Sequence, residues 1–234
     1  MGLRTKIASK KLERRYKKNY HSKVYDWKWD TKGYNRIALV NFLVNNCGGH
    51  LCNYLEIGCA SNNLFDSVFS INKTGVDPKS GGTHRMMSDS FFEANPNINF
   101  DVVFIDGLHE YQQVRKDAIN SLNSLNDGGW IAFHDFLPSN WKEHHVPRIQ
   151  SEWTGDCWKL AIELTKAEGL DFWIINIDHG VGLLKKSNNN YYIPDLSSEL
   201  LAAEFDRFVA EVPNLPIVDF DKAVGIISSA SKKK

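Results

Sequence analysis

Between residues 34 and 186, short runs of consecutive apolar residues alternate with segments whose apolar positions recur every three or four residues. Tyr34–Asn46 puts Ile37, Val40, Leu43 and Val44 on one helical face and stops at Cys47-Gly48-Gly49. Strands are predicted at 53–58 (NYLEIG), 73–77 (KTGVD), 84–89 (HRMMSD), 100–106 (FDVVFID) and 130–135 (WIAFHD). Helices fall between them at 63–70, 91–96 and 111–125, with a turn at Asn126-Asp127-Gly128-Gly129. Apolar strands alternating with helices of this length predict βαβ units and a parallel sheet covered on both faces.

The pattern changes after Phe136. Residues 136–156 are irregular and carry Pro138, Trp141, His144, His145, Pro147 and Trp153, before a helix predicted over Cys157–Ala167. DFWIINID (171–178) and VGLLKK (181–186) are separated only by His179-Gly180, and so short a link requires antiparallel pairing. A last helix is predicted at Ser197–Val212. This divides the chain into a basic arm (1–33), one α/β domain (34–215) and a tail (216–234) without a recognisable role.

The 234 residues, 42% hydrophobic, suffice for one large domain core and argue against general disorder. The net charge of +0 gives no reason to expect a polyanion as partner, although residues 1–36 hold twelve Lys or Arg against Glu13, Asp26 and Asp30. That arm suits a solvated helix better than a nucleic acid or anionic membrane site, and no nucleic-acid recognition motif accompanies it. Cys47, Cys52, Cys59 and Cys157 lack metal or disulfide spacing. With no apolar run long enough to span a bilayer, a cytoplasmic location is expected. A homo-oligomer is compatible with the sequence.

The first predicted strand leaves through Glu56, Gly58, Cys59, Ala60, Ser61, Asn62 and Asn63, small and polar residues unsuited to a strand interior. In open parallel sheets, ligands bind at the carboxyl ends of strands near the reversal of strand order, where such a turn lies. Asp77, nineteen residues beyond Gly58, is placed to accept ribose hydroxyls, and Ser88-Asp89 close the next predicted strand. Either Gly58 or Asp77 alone would suit an ordinary turn or cap; together with Ser88-Asp89 they point to a nucleoside-containing ligand.

The runs LEIGCASNN, GVDPKSGGTHRMMSDSFF, FDVVFIDGLHEYQQVRKDAINSLNSLNDGGWIAFHDFLP, WTGDCWK and IDHGVGLL resemble class I S-adenosylmethionine-dependent methyltransferases. The resemblance spans roughly residues 25–186 and is nearest to a bacterial and phage branch associated with sugar and small-molecule O-methylation. It implies a Rossmann-like, doubly wound seven-stranded sheet, mostly parallel with an antiparallel C-terminal hairpin strand. It also implies a Glu56–Asn62 loop beneath the methionine part of S-adenosylmethionine, Asp77 on the ribose and Ser88-Asp89 beside the adenine. Relatives carry glycine where this chain has Ala60 and Asn62.

Asp106, His109, His134 and Asp135 end two neighbouring predicted strands and should meet at one sheet edge, where Asp106 would also face the cofactor. His109 and His134 are candidate bases for deprotonating an acceptor hydroxyl. The resemblance adds a Mg²⁺ site at Asp106 and Asp135, which His134 suits poorly because imidazole is a weak Mg²⁺ ligand. A zinc site at His134, His144 and His145 finds no supporting spacing. Trp27, Trp29, Trp141, Trp153 and Trp158 are candidate walls of an acceptor pocket. The reading is O-methylation of a saccharide or other small polar acceptor. Its rivals are an NAD(P)-dependent oxidoreductase, for which the turn lacks GxGxxG, and a non-enzymatic nucleoside-binding module on a degenerate fold.

Overall fold

A computed structural model describes residues 10–231. Among the described residues, seven strands form one sheet: β1 (Asn53–Ile57), β2 (Asn72–Val76), β3 (Phe100–Ile105), β4 (Leu125–Phe133), β5 (Leu170–Ile175), β6 (Val181–Lys186) and β7 (Ile217–Val218). Their order is β2-β1-β3-β4-β6-β5-β7; only β6 runs antiparallel to its neighbours. The sheet is thus Rossmann-like, with the predicted hairpin inserted beside β4.

The alternation of side chains along each strand divides the core into two layers. Leu55, Ile57, Val103, Ile105, Ile131 and Phe133 point to one face, under α4 (Ser88–Ala94), α5 (Tyr111–Asn123), α7 (Trp158–Thr165) and α9 (Phe205–Glu211). Tyr54, Val102, Phe104, Trp130 and Ala132 point to the other, under α2 (Arg36–Asn46), α3 (Asn63–Ser67) and α10 (Phe220–Ser231). Both faces are dry, which is why the central strands read as unbroken apolar runs.

Four predicted elements differ. The strand expected at 84–89 is reduced to one bridge between Val76 and His84, because Gly81 and Gly82 turn the chain in left-handed conformation and Ser88 already opens α4. The seventh strand is instead β7, from the segment left as a tail. It pairs with β5, and α10 behind it packs on α2. The helix expected at 197–212 breaks into α8 (Ser197–Leu200) and α9, and the Leu201 carbonyl at the break accepts the Lys159 ammonium at 3.2 Å. The link between β5 and β6 is five residues, with Asp178 (φ 42°) and His179 (φ 61°) both left-handed.

The basic arm is only partly a helix. Residues 10–15 are helical (α1), and Leu12 and Tyr16 already touch the core. The chain then crosses the irregular 136–145 segment, where the Tyr25 N–H donates to the Ser139 carbonyl at 2.8 Å and the Trp27 indole to the Pro138 carbonyl at 3.3 Å. Among the described residues, no helix is long and apolar enough to cross a membrane.

Candidate active site

Strand order reverses between β1 and β3, so the turns that follow them diverge and leave a crevice. The ladder continues just past the strands: Gly58 N–H donates to the Val76 carbonyl, Asp106 N–H to Ile57 and His134 N–H to Ile105, at 2.8–3.0 Å. Gly58, Asp106 and His134 are thereby aligned along one edge. Gly58 has φ 89°, and a Cβ there would lie 2.1 Å from the Asp106 carbonyl oxygen, so the turn requires glycine.

Above this edge opens a cavity of about 770 Å³. One wall of it includes Gly58, Ala60, Asp77, Met87, Ser88 and Asp117. Asp77 Oδ1 accepts the backbone N–H groups of Lys79 and Ser80, both at 2.7 Å, and Oδ2 accepts that of Ala60 at 3.0 Å. Burial opposes its charge, but these bonds and the nearby Arg85 outweigh burial and hold its pKa below the ordinary value. Asp77 therefore braces its own loop as well as facing the cavity.

Asn62 ties the same turns together by accepting the Gly82 N–H at 2.7 Å. Ala60 (φ 44°) and Asn62 (φ 64°) are both left-handed non-glycines. Glu56, Cys59, Ser61, Asn62 and Asp89 do not reach the cavity wall. Glu56 is buried beneath it, accepting the Tyr54 hydroxyl at 2.6 Å, and burial pushes its pKa to about 7 despite that bond. Asp89 faces Gln113 and Lys116. Ser88 donates to Asp117 at 2.6 Å; Asp117 is buried, which raises its carboxyl pKa to about 6.

The opposite end of the cavity holds the predicted cluster. His109 Nε2 lies 3.2 Å from Asp106 Oδ1, and its Nδ1 lies 2.9 Å from Asp135 Oδ2. His134 Nδ1 lies 3.1 Å from Asp135 Oδ1 and 3.4 Å from Asp106 Oδ1. Burial disfavours charge on both rings, but the two carboxylates reverse the effect, raising His109 to about 10 and His134 well above its usual value. The same pairing lowers Asp106 and Asp135 against the cost of their own burial. His109 is the more accessible ring, and it stacks on Trp153 with centroids 5.2 Å apart and planes 12° from parallel.

Two residues missed in the sequence complete the cluster. Asp178, on the β5–β6 turn, lies 3.5 Å from His134 Nε2 through Oδ1, while its Oδ2 accepts the Arg36 guanidinium at 2.8 Å. That 3.5 Å approach makes no hydrogen bond, and His134 Nε2 has no bonded partner. Three acids thus face two histidines and one guanidinium. Asp135, Asp178 and His179 are all left-handed non-glycines, so backbone strain collects at the strand ends around the cavity.

Asp106, His134 and Asp135 each offer an atom within 4.8 Å of the others, the spacing of a metal site. The set fits Mg²⁺ poorly: imidazole is a weak ligand for it, and both carboxylates are already paired with histidines. His144 and His145 lie elsewhere, against Trp158 and the Pro147 carbonyl. Trp141 and Trp158 are core residues, whereas Trp153 lines the cavity.

A profile described as a methyltransferase domain matches residues 16–136, more than half of the chain. The chain belongs to this methyltransferase family. The cofactor-bound Rv0187 protein from MTB is 12% identical, with 79% of this chain and 88% of that one covered and a TM-score of 0.51. A Corynebacterium glutamicum protein is 11% identical over 81% of this chain and 92% of its own, with a TM-score of 0.50. These likenesses show a shared fold. The methyltransferase MycE from the mycinamycin biosynthetic pathway, solved with Mg, SAH and mycinamycin VI, is 17% identical over 66% of this chain, with a TM-score of 0.41. A curated relative, uncharacterized protein R132 of Acanthamoeba polyphaga mimivirus, is 37% identical over 54 residues, 23% of this chain. The chain spans half of MycE and 24% of R132.

Proposed function

We propose that this methyltransferase moves a methyl group from S-adenosylmethionine to a hydroxyl of a saccharide or other small polar acceptor. The observation that carries the reading is one cavity with two chemically distinct ends: the Gly58–Asp77–Ser88 wall at the β1–β3 crevice, and the Asp106–His109–His134–Asp135 cluster beside it.

Asp77 fits a ribose diol, since Oδ2 carries only the Ala60 N–H and keeps capacity for further bonds. Gly58 lets the ligand approach the backbone, and Ser88 and Asp117 line the region suited to the base. S-adenosylmethionine, when bound, supplies an electrophilic methyl on a sulfonium. Held there, it would give that methyl to the acceptor oxygen, with sulfur keeping the electron pair of the broken carbon–sulfur bond.

His109 is the group placed to take the acceptor's proton. Asp106 and Asp135 hold it as imidazolium in the free protein, so its service as a base belongs to the ternary complex, where an acceptor hydroxyl competes for those carboxylates. Asp106, Asp135 and the stacked Trp153 ring fix the orientation of His109, while His134 holds the same two acids from the other side. No step depends on a metal. Calorimetric titration with S-adenosylhomocysteine tests the cofactor reading: saturable binding is expected, and its absence from folded protein would overturn it.

A further inference from the structure

The β5–β6 turn separates the main cavity from a second compartment of about 290 Å³, which also has Asp178 and His179 in its wall. The rest of this compartment comes from the arm and the start of α2, including Trp29, Lys32, Gly33, Tyr34 and Asn35. Building on the saccharide reading, we infer that the acceptor is a chain of at least two sugar units. The unit to be methylated sits at His109, and its neighbour crosses the Asp178–His179 sill onto Tyr34.

Two independent observations carry this. The first concerns unmet hydrogen bonds. Among the described residues, eight buried side-chain polar atoms lack a partner, and four of them gather around this sill: Trp29 Nε1, Arg36 Nε, His134 Nε2 and His179 Nδ1. These residues are in mutual contact, with Trp29 and His179 rings 4.5 Å apart, His179 and His134 rings 6.0 Å apart, and Arg36 joined to His134 through Asp178. The indole and guanidinium atoms can only donate, and each imidazole nitrogen can donate or accept. Trp29 and His179 line the second compartment and Arg36 and His134 the main one, so these closed-in atoms flank the sill on both sides, and small side-chain shifts would turn them toward a ligand rich in acceptor oxygens.

The second is a braced aromatic surface. Tyr34 is 53% exposed, yet Phe220 of α10 backs its ring at 4.2 Å and 10° from parallel, so it is rigid and open on its other face. A flat ring fixed in this way suits the C–H face of a pyranose. The local charge points to a neutral ligand: Asp178 offsets the charge of Arg36, though not its Nε donor, and Lys32 shares the compartment with the same acid. A phosphate or carboxylate would meet Asp178 at the sill.

Gly33 provides a clean test, since a Cβ built there meets nothing within 4 Å and its backbone is not left-handed. With S-adenosylmethionine as donor, methyl transfer is measured to the methyl pyranosides of glucose, galactose, mannose and rhamnose and to disaccharides of the same sugars. Wild type should prefer a two-unit acceptor, and Gly33→Phe, which fills the compartment, should cut the ratio of two-unit to one-unit kcat/KM about tenfold, the scale of a lost specificity-pocket contact. Tyr34→Ala should lower the same ratio and serves if Gly33→Phe melts early. The inference is overturned if wild type uses one- and two-unit acceptors equally, if neither folded variant moves the ratio, or if no sugar is methylated while S-adenosylhomocysteine still binds. Loss of that binding would instead bring down the cofactor reading beneath it.

Discussion

Asp117 is an acid kept where stability alone would not choose one. It is 1% exposed, and its carboxyl pKa is raised from 3.8 to about 6, mainly by burial, with the Ser88 and Gln113 bonds only partly offsetting this. A folded pKa above the unfolded one means that this group supports the fold fully below about pH 4 and loses that support as pH rises through 6. Two units correspond to about 3 kcal/mol at pH 8. Asp117→Asn mimics the protonated form and keeps an acceptor for Ser88 and Gln113. Its new amide N–H₂ must find a partner, which costs about 1 kcal/mol and leaves a gain of about 2 kcal/mol at pH 8. At pH 4 no gain should appear. Urea unfolding at both values measures it, and calorimetry with S-adenosylhomocysteine should show weaker binding on the proposed reading, because Asp117 lines the main cavity beside Ser88. A variant no more stable than wild type at pH 8, or one equally stabilised at both values, would refute the reasoning.

Ala60→Gly should raise stability by about 0.5–1 kcal/mol by relieving an L-residue at φ 44°, read as a higher urea midpoint at unchanged slope. Asp77→Ala removes the acceptor of three backbone N–H groups. It should lower the melting temperature as well as costing about 2–4 kcal/mol of cofactor affinity, and an unchanged melt would show that the loop does not lean on it. His144 is buried beside Lys159 and its pKa is lowered to about 3, so its support is complete above pH 6.5 and drains as pH falls toward 3. His144→Phe should therefore flatten the acid limb, recovering about 2 kcal/mol at pH 5 relative to wild type in unfolding titrations.

Asp106, His109, His134 and Asp135 were readable because strand-end positions follow from where an apolar run stops, and a parallel sheet brings such ends together. Asp77 was readable for the same reason, but its brace on residues 60, 79 and 80 was not, since it depends on how two loops fold over each other. Arg36 and Asp178 lie 142 positions apart and meet only through tertiary packing. Asp117 did leave a trace, as a charged residue in line with Val114 and Ala118 on the apolar face of α5. Among the strands, β7 is two residues long and carries too little pattern to register, whereas 84–89 had the right residue types but a helix start inside it.

The packing of α10 on α2 sets an order of assembly. Leu39, Val40 and Leu43 on α2 share one apolar layer with Ala223 and Ile227 on α10, and the rest of the domain separates the two helices along the chain. During synthesis α2 emerges early and must leave this layer unfinished until α10 follows. Contacts closed over such sequence distance belong to slow folding, and an uncovered apolar layer is where newly made chains stick to one another. A chain interrupted after Pro216 would keep every residue around both compartments except the Phe220 brace, yet reach the cell's chaperones as an incomplete core.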